Sequence, residues 1–127
     1  MSELDGSSDR WSLRLRAQES VQESASIALA AIEQGLAIYR KLVEAHPNAT
    51  LFQSQLAALL GNAGMAHARQ GDRLRALEAY QESRAIQEKL IAADPGIPMI
   101  QRELAGTLNN MGDTEFGLGR LAAAEDS

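Results

Sequence analysis

A chain of 127 residues has room for one hydrophobic core of about 100–200 residues, and its 45% apolar but only 4% aromatic content, chiefly Ala and Leu, favours closely packed helices. The net charge of −5 is spread along the chain without a Lys/Arg block, which excludes the electrostatic footprint of nucleic-acid or anionic-membrane binding. No cysteine is present, so a disulfide frame, a thiol nucleophile and a thiolate zinc site are all excluded.

Residues 1–10 are acidic and polar and read as a disordered tail, with no signal-peptide pattern and no apolar span of about 20 residues after them. A cytoplasmic protein is expected. Residues 11–45 form an N-terminal helical region with a helix over about 18–45, ended by His46-Pro47, because a residue before proline is pushed out of the helical region. In residues 46–93, Thr50 and Gln53 have capping-box spacing, and Leu56, Leu59, Leu60 and Ala63 then share one helix face over about 50–70. Gly71 supplies the turn, and a second helix follows over about 73–93 to Asp94-Pro95. In residues 94–127 a helix over about 99–117 carries Leu104, Leu108 and Met111 on one face, Gly119 marks the next turn, and a truncated fifth helix starts at about 120.

The last two segments are copies of one unit. A shift of 48 positions, from Pro47 to Pro95, superposes Gln53 on Gln101, Leu56 on Leu104, Leu60 on Leu108, Asn62 on Asn110, Gly64 on Gly112 and Gly71 on Gly119, without a gap. Each unit is helix, glycine turn, helix, proline break. The fold class is therefore all-α, a stack of about five helices in hairpins.

Residues from about Ala25 onward resemble the tetratricopeptide repeat, close to its long-period bacterial variants and to the repeats of kinesin light chains. Ala63-Gly64 looks like the small pair of helix A, Gly71 the turn, Ala76 the small packing position of helix B and Tyr80 its aromatic; the second copy offers Met111-Gly112, Gly119 and Ala124. The extra residues over the usual period of about 34 add nearly four helical turns, which keeps the same faces inward. Shifted back one period, 25–45 looks like a helix B whose helix A would be 11–20, with Arg16 in place of the glycine; this region is a degenerate repeat or an N-terminal cap, with Trp11 and Leu15 packing over the end of the stack.

The resemblance implies a helical-hairpin solenoid that binds a peptide or helix on its concave face, without catalysis, cofactor or metal. Mapped onto helix A, the groove side is Asn62, Met65 and Arg69 from one unit and Asn109, Asn110, Asp113 and Phe116 from the next, with the two amides Asn62 and Asn110 placed to fix a ligand backbone. The lysine and asparagine that family members use to clamp an acidic chaperone tail are replaced by Gly61 and Met65, and Asp113 would repel such a tail. His46 and His67 have no ligand spacing; His67 reads as a packing or groove-edge residue and His46 as a helix-end residue. Gly61-Asn62-Ala63-Gly64 and Gly117-Leu118-Gly119 follow no strand and carry no phosphate-binding Lys, so they read as packing and turn glycines.

Two further readings stand beside the groove. The apolar face of the last unit has no helix to cover it before Ser127, which points to a homo-oligomer through that face or to a fragment of a longer array. The resemblance to tails of bacterial signalling proteins also implies a detached regulatory tail.

Overall fold

The computed structural model describes the backbone of residues 6–126 and the side chains of 9–121. Four helices succeed one another, α1 (Gly6–Ala45), α2 (Thr50–Arg69), α3 (Arg73–Ala93) and α4 (Pro98–Asp126), with no strand among the described residues. Short loops make neighbours antiparallel, and each helix packs on the next, with a lighter contact between α2 and α4 across α3. The result is an all-α stack of helical hairpins.

The α2–α3 turn is built from two adjacent residues with different tasks. Gly71 takes φ +83°, the only positive φ among the described residues. That conformation lets the N–H of Asp72 donate to the His67 carbonyl (2.9 Å) and that of Gly71 to the Ala68 carbonyl (3.0 Å), so the helix ends in a Schellman motif. Asp72 then starts α3, its carboxylate accepting from the Arg75 N–H at 3.2 Å.

Four helices stand where about five were expected, because α4 runs through Gly119 without turning. The counterpart of Asp72 is Arg120, which offers no acceptor to a new helix, and glycine alone permits a turn without imposing one. In α1 it is the glycine that is missing. One period before Gly71-Asp72 stand Glu23-Ser24, and a single helix of about 60 Å replaces the pair expected there. It begins at Gly6, inside the stretch read as a tail, while residues 1–5 lie outside the described residues. Trp11 and Leu15 are exposed on it and cover no part of the stack.

The start of α2 differs from expectation in a way that repeats. Ala49 holds the N-cap position without a side-chain hydrogen bond, so Thr50 opens the helix and does not cap it. Gln53 reaches back to donate to the Pro47 carbonyl (2.9 Å), and Gln101 donates to the Pro95 carbonyl (2.7 Å). Two units 48 residues apart thus tie their proline breaks by the same side-chain bond.

The core lies where α3 passes between α2 and α4. Ala76, Tyr80 and Met111 are buried together, and the Tyr80 ring lies against Gly64: a Cβ there would come within 2.5 Å of Tyr80 Cε1. Ser83, wholly buried, donates through Oγ to the Ala57 carbonyl (2.8 Å), so a polar group inside the hairpin is satisfied. On α1, Arg40 forms a bidentate pair with Glu82 of α3, which holds the guanidinium pKa above its ordinary value.

Candidate functional site

Helices α2 and α4 run side by side on one face of the stack with α3 behind them, and the space between them is a cleft of about 210 Å³. Its α2 wall carries Ala58, Gly61, Asn62 and Met65; its α4 wall carries Glu103, Gly106, Thr107 and Asn110. Gly61 and Gly106 have nothing within 4 Å of a would-be Cβ, which leaves backbone accessible on both walls. The floor is Ser83 and Gln87 of α3, with Gln87 Oε1 accepting from Thr107 Oγ1 at 2.9 Å. That bond fixes the separation of floor and wall, and so holds the cleft open at a set width.

Of the residues expected on the groove, Asn62, Met65 and Asn110 meet at this cleft. Asn62 and Met65 also face α1, where they join Arg69, Ala28 and Ile32 around a second cleft of about 200 Å³. Arg69 continues along α1 past Val21 and Ala17. The structure thus forms one concave strip, from α1 across α2 to α4, with a cation at its α1 side and the Glu103 carboxylate at its α4 side.

Asp113 is exposed next to the strip, near enough to Tyr80 to matter electrostatically. Burial raises the Tyr80 pKa, Arg69 lowers it and Asp113 raises it, so these two charges flank the phenol from opposite helices. Asn109 and Phe116 are not brought to the cleft. Gly117 lies against Arg73 of α3, and the stripe Thr107, Met111 and Thr114 is buried under α3; Asn109 and Phe116, about 100° or more around the helix from Asn110, stand on another, exposed face. Phe116 is 67% exposed, with Arg120 5.9 Å above its ring.

Sequence reasoning missed Glu103, Thr107 and Gln87. The signal was present in the 48-residue shift, which pairs Thr107 with Leu59 and Gln87 with Tyr39 and so marks them as polar replacements at packing positions. His67 lies on the opposite side of the stack, in a cleft between α1, α2 and α3 with Leu36, Glu33 and Glu78, where its buried Nδ1 has no hydrogen-bond partner. His46 packs its ring against Phe52 at 5.7 Å. Among the described residues no three His, Asp or Glu side chains converge as metal ligands, and no helix is long and apolar enough to cross a membrane.

Residues 56–95 match the tetratricopeptide repeat family, a stretch that runs from within α2 through the Gly71 turn and along α3 to Pro95. No curated protein and no solved structure matches the chain. The match covers the Gly64–Tyr80 contact, the Schellman turn and the Ser83 bond described above, and such repeats in general mediate interactions between proteins. The α2–α3 hairpin, which holds the matched stretch, is a tetratricopeptide repeat.

Proposed function

We propose that the concave strip binds an extended peptide or a short helix of a partner protein, with Asn62 and Asn110 as the paired anchors of its main chain. The observation that carries this reading is the position of these two amides, one repeat apart in sequence and on opposite walls of one cleft. An amide both donates and accepts, which suits a peptide backbone, and two of them at a repeat spacing read it at two points. Met65, 41% exposed beside Asn62, supplies an adaptable apolar contact, and Arg69 and Glu103 set the polarity of the ligand along the strip.

On this reading the chain is a non-catalytic scaffold. Residues 11–45 serve as an N-terminal cap or degenerate repeat, 46–93 as the full repeat and 94–127 as a second unit that contributes only its first helix. Residues 62, 65, 69 and 110 carry binding, with Asp113 at the edge. A cysteine-free surface suits a reducing compartment such as the cytoplasm.

The test is selection of peptides from a displayed library on the immobilised chain, followed by titration of the selected peptide into the double variant Asn62→Ala, Asn110→Ala. Each truncated amide is expected to remove a hydrogen bond of about 1 kcal/mol, so the pair weakens binding by about tenfold or more while the melting temperature is kept. A selected peptide that binds the double variant as tightly as the parent chain contradicts the reading.

A further inference from the structure

The two ends of the stack present complementary halves of the contact seen inside it. On α2, the residues that α3 covers are Ala57, Leu60, Gly64 and Ala68; the first two are 1% and 2% exposed. Their counterparts one period on are Ala105, Leu108, Gly112 and Phe116, all exposed on one face of α4, with Leu108 at 46% and nothing within 4 Å of a Cβ at Gly112. This is the face on which Phe116 and Asn109 were found. At the other end, Ala76, Tyr80 and Ser83 of α3 are fully buried because α2 and α4 flank them. Their counterparts one period back, Ala28, Ile32 and Gly35, are only half-buried on α1, whose backbone lies against α2 and against no third helix. Among the described residues, α4 is thus a first helix without its second, and α1 a second helix without its first.

We infer that the α4 face of one copy is covered by α1 of a second copy, laid on it as α3 lies on α2, so that the 48-residue repeat continues from chain to chain, head to tail. In that register Ile32 covers Gly112 as Tyr80 covers Gly64, and the smaller Ile meets no Cβ. Phe116 lies near Ala28, in the place that Ala68 takes against the cluster of Ala76, Tyr80 and Met111 inside the chain.

The lengths of the end helices fit this pairing. Helix α4 runs on past Gly117, the counterpart of Arg69 where α2 stops, and α1 begins well before residue 25, the counterpart of Arg73 where α3 starts. Both overhangs leave the stack at the edge of the Gly71 turn. With α1 of the second copy on α4, the two overhangs run antiparallel side by side, and Arg120 comes beside Glu23. On α4 this contact lies on a different face from the peptide groove, whereas on α1 it takes in Ala28 and Ile32, which also line the α1 side of the concave strip.

A head-to-tail contact uses different patches on the two copies, and that property supplies the test. Light scattering behind size exclusion, over a wide range of concentration, is expected to show a mass that rises above one chain. Gly112→Lys blocks the α4 end and Ile32→Lys the α1 end, so each variant alone stays at one chain; the space at Gly112 keeps the first folded, and circular dichroism checks both. Mixed, the two pair one to one through their unblocked ends and stop there. A parent chain that remains monomeric throughout overturns the inference. An assembly broken by Gly112→Lys but untouched by Ile32→Lys also overturns it, because that pattern belongs to two α4 faces meeting each other or to another partner.

Discussion

Gly64 and Gly112 occupy the same place in two copies of one unit, yet they stand in different surroundings. The interior glycine is shaped by its neighbour: Tyr80 lies so close that no side chain fits. The terminal one has open space, although the helix around it repeats Leu56 as Leu104 and Leu60 as Leu108. A repeat writes the same residues whether or not a covering helix is present, so the pattern marks where a partner surface is specified, and burial marks where it is filled. The difference between the α2–α3 hairpin and α4 is therefore a difference of cover and not of design.

The largest expected effects set these glycines against each other. Gly64→Ala forces Tyr80 aside and should destabilise the chain by about 1–3 kcal/mol. Gly112→Ala adds helix propensity in open space and should stabilise the isolated chain by up to about 1 kcal/mol. Urea denaturation of both variants checks the pair, and equal effects would dissolve the comparison.

The two turn glycines come next. Gly71→Ala places a Cβ at a positive φ and should cost about 1–2 kcal/mol, whereas Gly119→Ala, inside a continuous helix, should raise thermal stability. A loss at both positions would mean that α4 turns at Gly119 after all. Asp72→Ala removes the cap of α3 and should cost about 1 kcal/mol. Its converse sharpens the point: Arg120→Asp supplies an acceptor after Gly119, and amide hydrogen exchange at 119–122 should speed up as the helix gains a competing turn.

Smaller effects come from the charged groups. Burial raises the Tyr80 pKa, so the neutral phenol contributes stability that is fully present below the unfolded value of 10.0 and is lost as pH rises through the folded value. Tyr80→Phe should flatten the alkaline limb of the stability profile. Arg40→Ala breaks a half-exposed ion pair with Glu82 and should cost less than about 1 kcal/mol, and less again in high salt.

The helix bounds of the interior hairpin were legible because proline and glycine act locally: the expected 50–70 and 73–93 became Thr50–Arg69 and Arg73–Ala93. The same residues misled at Gly119 and at the N-terminal region, where a break depends on the residue after it. Gly71 turns because Asp72 is ready to start a new helix, and neither Arg120 nor Ser24 after Glu23 repeats that arrangement. At the candidate site, Asn62, Met65 and Asn110 were legible through the period, since equivalent positions on parallel helices share a groove. Asn109 and Phe116 were assigned to it by mapping onto helix A of the family, but each step along a helix turns the side chain by about 100°, and contact with α3 at Gly117 and Met111 sets which way α4 is rotated. The Gln53 and Gln101 bonds were hidden because they replace a cap that the Thr50 spacing also allowed.

On the proposed reading, one face of α4 reads a peptide while another does not. Photo-crosslinking tests it most directly: a crosslinking side chain is placed at position 62, 110, 109 or 116 in turn, and a display-selected peptide is added at a concentration that keeps the protein dilute. Crosslinks at 62 and 110 with none at 109 and 116 are the predicted result. Equal crosslinking at 116 and 110 would contradict it, because no peptide lying in the cleft between α2 and α4 reaches both faces of α4 alike.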